Sequence, residues 1–187
     1  MSPFRNPGRP AARLLPAATI LFAAATLGAC ATVRPAPAVD HLAFDLDEGR
    51  WEPARQEASR HGTRTDLVRP GETLAEWHEL FTVQTVDVRR AEVDAPAAAA
   101  AALHARLQAR CPGAEWHELA ADSTAALYEW RVSGCAGEAD RHEIGRIVRG
   151  AEQQARLAYT VHGAMPDSVR DAWVQRMRDA AFYRGGR

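Results

Sequence analysis

Three His-Glu pairs are the residues of this chain best suited by type to bind a metal ion or to transfer protons. The pairs are His78-Glu79, His117-Glu118 and His142-Glu143. A zinc-hydrolase helix needs a second histidine one turn after such a pair, so that both imidazoles face one ion. The residues that stand in that place are Thr82, Ala121 and Arg146. The zinc-hydrolase motif is therefore absent from all three pairs.

The hexapeptide AEWHEL occurs twice, at residues 75–80 and 114–119. If the two copies lay in paired strands, four side chains could converge on one ion: His78, Glu79, His117 and Glu118. Adjacent residues of a strand point to opposite faces, however, so the His and the Glu of one pair cannot both reach it. We predict instead two strand segments with Trp77 and Trp116 packed inward. Since no serine stands in a G-x-S-x-G motif either, we expect no metal, no cofactor and no catalytic residue.

The N-terminal segment carries the signals of export. Arg5, Arg9 and Arg13 precede an apolar run at residues 14–29, which ends in small residues. A positive region, an apolar region and small residues in this order are typical of a signal peptide. The run is shorter than the ~20 residues that a membrane-spanning helix needs. We therefore predict that residues 1–29 are a cleaved signal peptide.

The end of that run, Leu27-Gly28-Ala29-Cys30, resembles the lipobox of bacterial lipoproteins. The resemblance implies that the thiol of Cys30 is lipidated and that Cys30 becomes the first residue after cleavage. Several acyl chains together give stable membrane anchoring. Ala31, in a place where Asp signals inner-membrane retention in that family, implies the outer membrane, facing the periplasm. Residues 30–40, rich in Pro and Ala, would form an extended tether before a single domain at residues 41–187.

Cys111 and Cys135 are the two cysteines besides Cys30. An exported domain meets an oxidising compartment, where an even pair of cysteines indicates a disulfide. The alternative is a redox or metal-binding pair, which the lack of a C-x-x-C motif disfavours. We predict a bridge between Cys111 and Cys135 that adds about 3 kcal/mol to the free energy of unfolding.

The charge balance argues against nucleic acid as a partner. The 23 basic residues, all of them arginine, and the 24 acidic residues give a net charge of −1, without a basic stripe. Nucleic-acid binding needs such a stripe or patch. We expect a monomer that meets the membrane through its N-terminal lipid, and the sequence does not identify a protein partner in the envelope.

Hydrophobic periodicity predicts six strands and two helices, with a short strand or two and a mobile loop at residues 40–62. The six strands are predicted at residues 63–69, 76–89, 115–119, 127–132, 143–148 and 155–161. The first helix, residues 97–110, should have Asp94 as its N-cap and Pro96 in its first turn. The second helix, residues 167–182, should bury a stripe formed by Val169, Trp173, Met177 and Ala180.

This order of elements predicts an α+β fold, an antiparallel sheet of about five to seven strands with two helices packed against it. The stretch PGETLAEWHELFTVQ at residues 70–84 and the closing helix carry a likeness to a known fold. Through them, residues 63–182 resemble the PsbP-like α/β sandwich and lipoproteins of unknown role. The resemblance implies a fold of that kind, and it implies no catalytic residue.

Taken together, these features predict a membrane-anchored periplasmic lipoprotein with a binding, assembly or structural role in the cell envelope. Two alternatives come from other classes: a small envelope hydrolase or metal-dependent enzyme, and a carrier of an apolar ligand. A deep pocket lined by His and Glu would favour the enzyme and an apolar cavity would favour the carrier. A filled core would favour an interaction module.

Overall fold

The computed structural model of the protein describes residues 39–137 and 139–185, so the predicted signal peptide, Cys30 and most of the tether lie outside the described residues. Within them, the strands are β1 (Val39–Ala43), β2 (Glu52–Ser59), β3 (Gly62–Val68), β4 (Glu79–Asp87), β5 (Glu115–Ala121), β6 (Ala125–Val132), β7 (Arg141–Arg149), β8 (Gln153–His162) and β9 (Ala181–Gly185). The helices are α1 (Pro96–Arg110) and α2 (Asp167–Asp179). Neither of these two helices is long and apolar enough to cross a membrane.

Seven of the strands form one antiparallel sheet in the order β2-β3-β4-β8-β7-β6-β5. Two meanders, β2-β3-β4 and β5-β6-β7-β8, meet at the centre, where β4 pairs with β8. Helix α1 connects the two meanders along the chain. This is the α+β architecture expected from the sequence, and the sheet has the upper number of strands in the expected range.

The two helices cover opposite faces of the sheet, because successive residues of a strand point to opposite sides. Helix α2 packs against the face that presents Leu127 and Ile144. Helix α1 packs against the other face, which presents Tyr128 and Ile147. We call these the α2 face and the α1 face. Helix α1 packs mainly on β5, β6 and β7, so it covers only one half of its face.

The α2 face is filled by stacked aromatic rings. Trp173 lies parallel to Tyr159 with ring centroids 3.9 Å apart, and it meets Trp51 edge-on at 6.1 Å. Phe44 and Phe81 stack beside them at 5.1 Å. Burial of each large apolar side chain contributes roughly 1.5–3 kcal/mol. This cluster is therefore the main hydrophobic core.

The chain end differs from the sequence expectation. Helix α2 ends at Asp179 and does not continue to Phe182, because residues 181–185 form β9, which pairs antiparallel with β1. The pairing of Phe182 with Leu42 outweighs the helix propensity of the Ala-Ala-Phe stretch. In β1, the buried Asp40 accepts the backbone N–H of Glu152 at 2.6 Å. Val39 and Asp40 thus belong to the folded domain.

Two local expectations are also wrong. The N-cap position of α1 is Ala95, without a side-chain hydrogen bond, and Asp94 lies one residue too early. Pro96 opens the helix because its fixed φ suits the first helical position and its missing N–H would have no partner there. The polar stretch that begins at Arg55 is not a loop but most of β2, an exposed edge strand with a bulge between Pro53 and Arg55. A bulge and a proline protect an edge from pairing with another chain.

The structure brings Cys111 and Cys135 to disulfide distance, with Cα atoms 5.7 Å apart. Bridged cysteines usually have Cα separations of about 4.4–6.8 Å. Cys111 caps the C-terminal end of α1, and Cys135 lies in the loop between β6 and β7. The predicted pairing therefore joins the helix to the sheet that it covers.

Candidate functional site

A cavity of about 320 Å³ lies on the α1 face, where α1 leaves the sheet uncovered. Leu107 and Cys111 at the C-terminal end of α1 form one wall. The floor is made of side chains from three adjacent strands: Thr82 of β4, Glu143 of β7, and Arg156 and Thr160 of β8. The rim carries Arg64, Trp77, Trp130 and Arg141. We call this space the α1-face cavity.

Strand register brings these residues together from distant parts of the sequence. Trp130 of β6 stands opposite Glu143 of β7, Glu143 stands opposite Thr160 of β8, and Thr160 stands opposite Leu80 of β4. Residues directly opposite each other in a sheet share a face. One row across four strands thus runs from an aromatic ring through a carboxylate and a hydroxyl to an aliphatic side chain.

A buried hydrogen-bond network forms the floor of the cavity. The carboxylate of Glu143 accepts bonds from Arg156 Nη2 at 2.7 Å, from the Thr160 hydroxyl at 3.1 Å and from the Tyr128 hydroxyl at 3.2 Å. Arg156 Nε donates to the Tyr128 hydroxyl at 2.8 Å. Burial raises the pKa of Tyr128, so that its hydroxyl keeps its proton and remains a donor. The network fixes the guanidinium of Arg156 on the floor.

A second buried carboxylate, Asp66, orients Arg64. Asp66 is fully buried and accepts bonds from Arg64 Nε at 3.1 Å, from the Thr82 hydroxyl at 2.7 Å and from Arg55 Nε at 2.7 Å. Burial opposes the charged form, but the hydrogen bonds from Arg64, Thr82 and Arg55 outweigh it and hold the pKa of Asp66 below its ordinary value. The carboxylate stays ionised and holds the Arg64 side chain at the cavity rim.

Arg141 and Trp77 form the outer edge of the cavity. The guanidinium of Arg141 lies over the ring of Trp77, 5.9 Å from its centroid, and the rings of Trp77 and His162 lie 4.1 Å apart between centroids, tilted by 31°. The Nε atom of Arg141 is buried and has no hydrogen-bond partner within the described residues. A buried donor without a partner carries a desolvation cost.

The two AEWHEL copies do not form a common site. The first copy runs from a loop into β4 and the second from a loop into β5, and three strands separate β4 from β5. His78 lies in the loop, where its Nδ1 is 2.6 Å from Glu72 Oε1. Trp77 and Trp116 are half-buried rather than packed in the core. The expectation of two strand segments with inward tryptophans is therefore wrong for the first copy, because Trp77 lies in the loop before β4. The second copy does lie in a strand, β5, but its Trp116 is only half-buried.

The third His-Glu pair separates onto the two faces. Glu143 lies on the α1 face, whereas His142 lies on the α2 face, where its Nε2 is 2.6 Å from Glu129 Oε1. Its Nδ1 accepts the backbone N–H of Met165 at 3.1 Å, so the ring proton stands on Nε2 and points to Glu129. Arg170 binds the same carboxylate through Nε at 2.8 Å and Nη2 at 2.6 Å. Both nitrogens of His142 are thus engaged, and Glu129 links His142 of the sheet to Arg170 of α2.

An open depression beside this pair contains Glu115, His117 and Glu118 on β5. Burial opposes ionisation of Glu129 at its base, but the hydrogen bonds from Arg170 and His142 outweigh it and lower the pKa of Glu129. A carboxylate kept ionised in this way is not a general acid. Within the described residues, no group of three or more His, Cys, Asp or Glu side chains is arranged to hold a metal ion.

The sequence alone does not identify the arginines of the α1-face cavity as functional residues. The signal that could have indicated the cavity floor is a polar residue at alternate positions of otherwise apolar strands, as at Glu143 in β7 and at Arg156 and Thr160 in β8. Comparison with protein-family models, with curated proteins and with solved structures finds no match to this chain. The geometry of this cavity and the N-terminal sequence are therefore the features of the chain that bear on its function.

Proposed function

We propose that the protein is a bacterial lipoprotein, anchored through Cys30 to the outer membrane on the periplasmic side, whose domain is a binding module. The observation that supports binding is the lining of the α1-face cavity, a space of about 320 Å³ above charged and aromatic side chains. It is more enclosed than the depressions of about 270 and 510 Å³ on the α2 face. Ligand pockets usually have volumes of roughly 300–1,000 Å³, with a few fixed polar groups.

Binding is favoured over turnover because the reactive groups of the cavity are engaged in structural bonds. The hydroxyl of Thr82 donates to Asp66, and the hydroxyl of Thr160 donates to Glu143. Cys111 lies at disulfide distance from Cys135. Catalysis needs a nucleophile or a base within reach of the substrate. Among the described lining residues, each of these three candidate nucleophiles has a structural partner.

The anchoring part of the proposal is tested by lipid labelling of the full chain in a Gram-negative host. We expect a clickable palmitate analogue to label the wild-type protein, and intact-mass spectrometry to show a chain that begins at acylated Cys30. The variant Cys30→Ser should lose the label and leave the membrane fraction. A mature chain that begins at unmodified Ala31, or that keeps Met1, would contradict the proposal.

The binding part is tested by photocrosslinking in intact cells. A benzoylphenylalanine in place of Ala139, an exposed lining residue, should give an adduct of defined added mass. The same group in place of Ala105, an exposed residue of α1 that does not line the cavity, is the control and should give none. If neither position, or both equally, gave adducts, the binding role at this cavity would be wrong.

A further inference from the structure

We propose that the α1-face cavity binds a small organic oxyanion, a carboxylate or a phosphate joined to a flat apolar group. This inference rests on the proposed binding function and names the class of ligand. Three observations carry it: the charge of the lining, an arginine donor without a partner among the described residues, and the aromatic and aliphatic side chains of the lining.

The first observation is an excess of guanidinium groups around the cavity. Arg64, Arg110, Arg141 and Arg156 line it, and Glu143 is the one carboxylate among the described lining residues. Glu143 is matched by Arg156, and Asp66, behind the lining, is shared by Arg55 and Arg64. Among the described residues around the cavity, the positive charge therefore exceeds the negative charge. In a cavity partly shielded from water, such an excess attracts an anion.

The second observation concerns Arg141. Its Nε is buried without a hydrogen-bond partner, and it forms no ion pair within the described residues. Arginine presents its donors in a planar fork that matches the two oxygens of a carboxylate or phosphate. Charge-assisted bonds of this kind are about twice as strong as neutral ones. An oxyanion at the rim would supply acceptors for this guanidinium, whose Nε finds none among the residues that the structure describes.

The third observation is the apolar part of the lining, which comprises Trp77, Leu80, Leu107 and Trp130. Strand register places Trp130 and Leu80 at opposite ends of the row that contains Glu143. Trp77 contacts His162 with the two rings tilted by 31°, and the guanidinium of Arg141 lies over the Trp77 ring. Aromatic side chains bury flat apolar groups and accept cations on their faces. The ligand should therefore combine a flat apolar part with its negative charge.

The test is isothermal titration of the full chain in nonionic detergent at pH 7, with phenyl phosphate, benzoate and phenol as probes. All three share the ring, and only the first two carry an oxyanion. We expect at least one of the two to bind at one site per chain, and phenol to bind at least tenfold more weakly, as about 1.4 kcal/mol corresponds to tenfold. Comparing phenyl phosphate with benzoate identifies the preferred oxyanion.

The variant Arg141→Gln should weaken the binding of the charged probe by about tenfold or more, because it removes a charge-assisted donor pair. Arg178→Gln is the matched control, because Arg178 is an exposed residue of α2, which covers the other face of the sheet. The affinity of this variant for the charged probe should stay within about twofold of wild type. Melting curves report whether each variant is folded, and Arg64→Gln replaces Arg141→Gln if the latter does not fold.

The oxyanion inference is overturned if neither charged probe binds, if phenol binds as tightly, or if a folded arginine variant keeps wild-type affinity. Its failure is distinguishable from failure of the proposed function. A crosslinked adduct at position 139 together with no probe binding would leave the binding module standing and exclude this class of ligand. Absence of the adduct as well would contradict both the binding function and the oxyanion inference.

Discussion

The ring of Tyr128 lies directly over Gly145 of the neighbouring strand, in a space that a Cβ atom would fill. Tyr128 is completely buried, and its hydroxyl reaches Glu143 and Arg156 on the floor of the α1-face cavity. The missing side chain of Gly145 thus allows the phenol to lie flat and to bring its hydroxyl to the buried ions. The glycine at position 145 of β7 therefore helps to position the hydrogen-bond network of Tyr128, Glu143 and Arg156 on the floor of the cavity.

The first prediction is that Gly145→Ala destabilises the domain, because the added methyl group overlaps the Tyr128 ring. Overpacking of this kind costs about 1–3 kcal/mol. Urea denaturation measures the change in the free energy of unfolding. Gly113→Ala is the control, since a Cβ at Gly113 meets nothing within 4 Å and should leave stability nearly unchanged. Equal stability of the two variants would show that Tyr128 does not depend on this space.

The second prediction is a loss of stability in acid. Asp66 and Glu129 have pKa values below their ordinary range, so their contributions are complete above about pH 4 and are lost as the pH falls through the lowered values. We therefore expect the melting temperature to fall as the pH is lowered below about 4. Asp66→Asn should lower stability at pH 7 and flatten this dependence. Exposed Asp45→Asn is the control and should keep the wild-type pH profile.

The third prediction concerns the bridge between Cys111 and Cys135. The two residues are 24 positions apart, and closure of such a loop stabilises a fold by about 3 kcal/mol. Cys135→Ser should therefore lower the melting temperature in oxidising buffer. Under a thiol reductant the wild type and the variant should melt together. A difference that persists under reductant would mean that the cysteine contributes by packing instead.

The fourth prediction separates the tryptophans by burial. Trp173 is 5% exposed in the stacked core, so Trp173→Ala should cost about 3–5 kcal/mol. Trp77→Ala should cost clearly less, because Trp77 is half-buried at the cavity rim. The His78 side chain is 91% exposed, and His78→Ala should change stability by less than about 0.5 kcal/mol. Chemical denaturation of the three variants measures this order, and a reversed order would contradict the assignment of the core.

The fold class and most elements were predictable because they are local patterns. Helix α1 follows from its Ala-rich run with Pro96 and Cys111 at its ends, and β8 follows from the alternation of Leu157, Tyr159 and Val161. Strand β9 was not predictable, since Ala181 and Phe182 favour a helix until β1 supplies the pairing partner. Strand β9 is short and leaves no periodic signal of its own, so that only its pairing with β1 defines it.

The candidate site was less predictable than the fold. Glu143, Arg156 and Thr160 each look like an ordinary strand residue, and only the register of β7 with β8 places them on one face. The His-Glu pairs had the stronger sequence signal and do not converge, because β4 and β5 are three strands apart. Spacing along a chain indicates a site only when one element holds all of it.

The five tryptophans of the chain are divided between the two faces of the sheet. Trp51 and Trp173, the latter in α2 itself, are buried in the core of the α2 face, whereas Trp116 and Trp130 lie on the α1 face and Trp77 on the cavity rim. The two groups of tryptophans therefore report separately on the buried core and on the α1-face cavity. Acrylamide should quench the emission of the second set and spare the first. A ligand that enters the cavity should alter the quenchable emission, while the near-ultraviolet circular dichroism of the stacked rings remains a separate signal of the intact core.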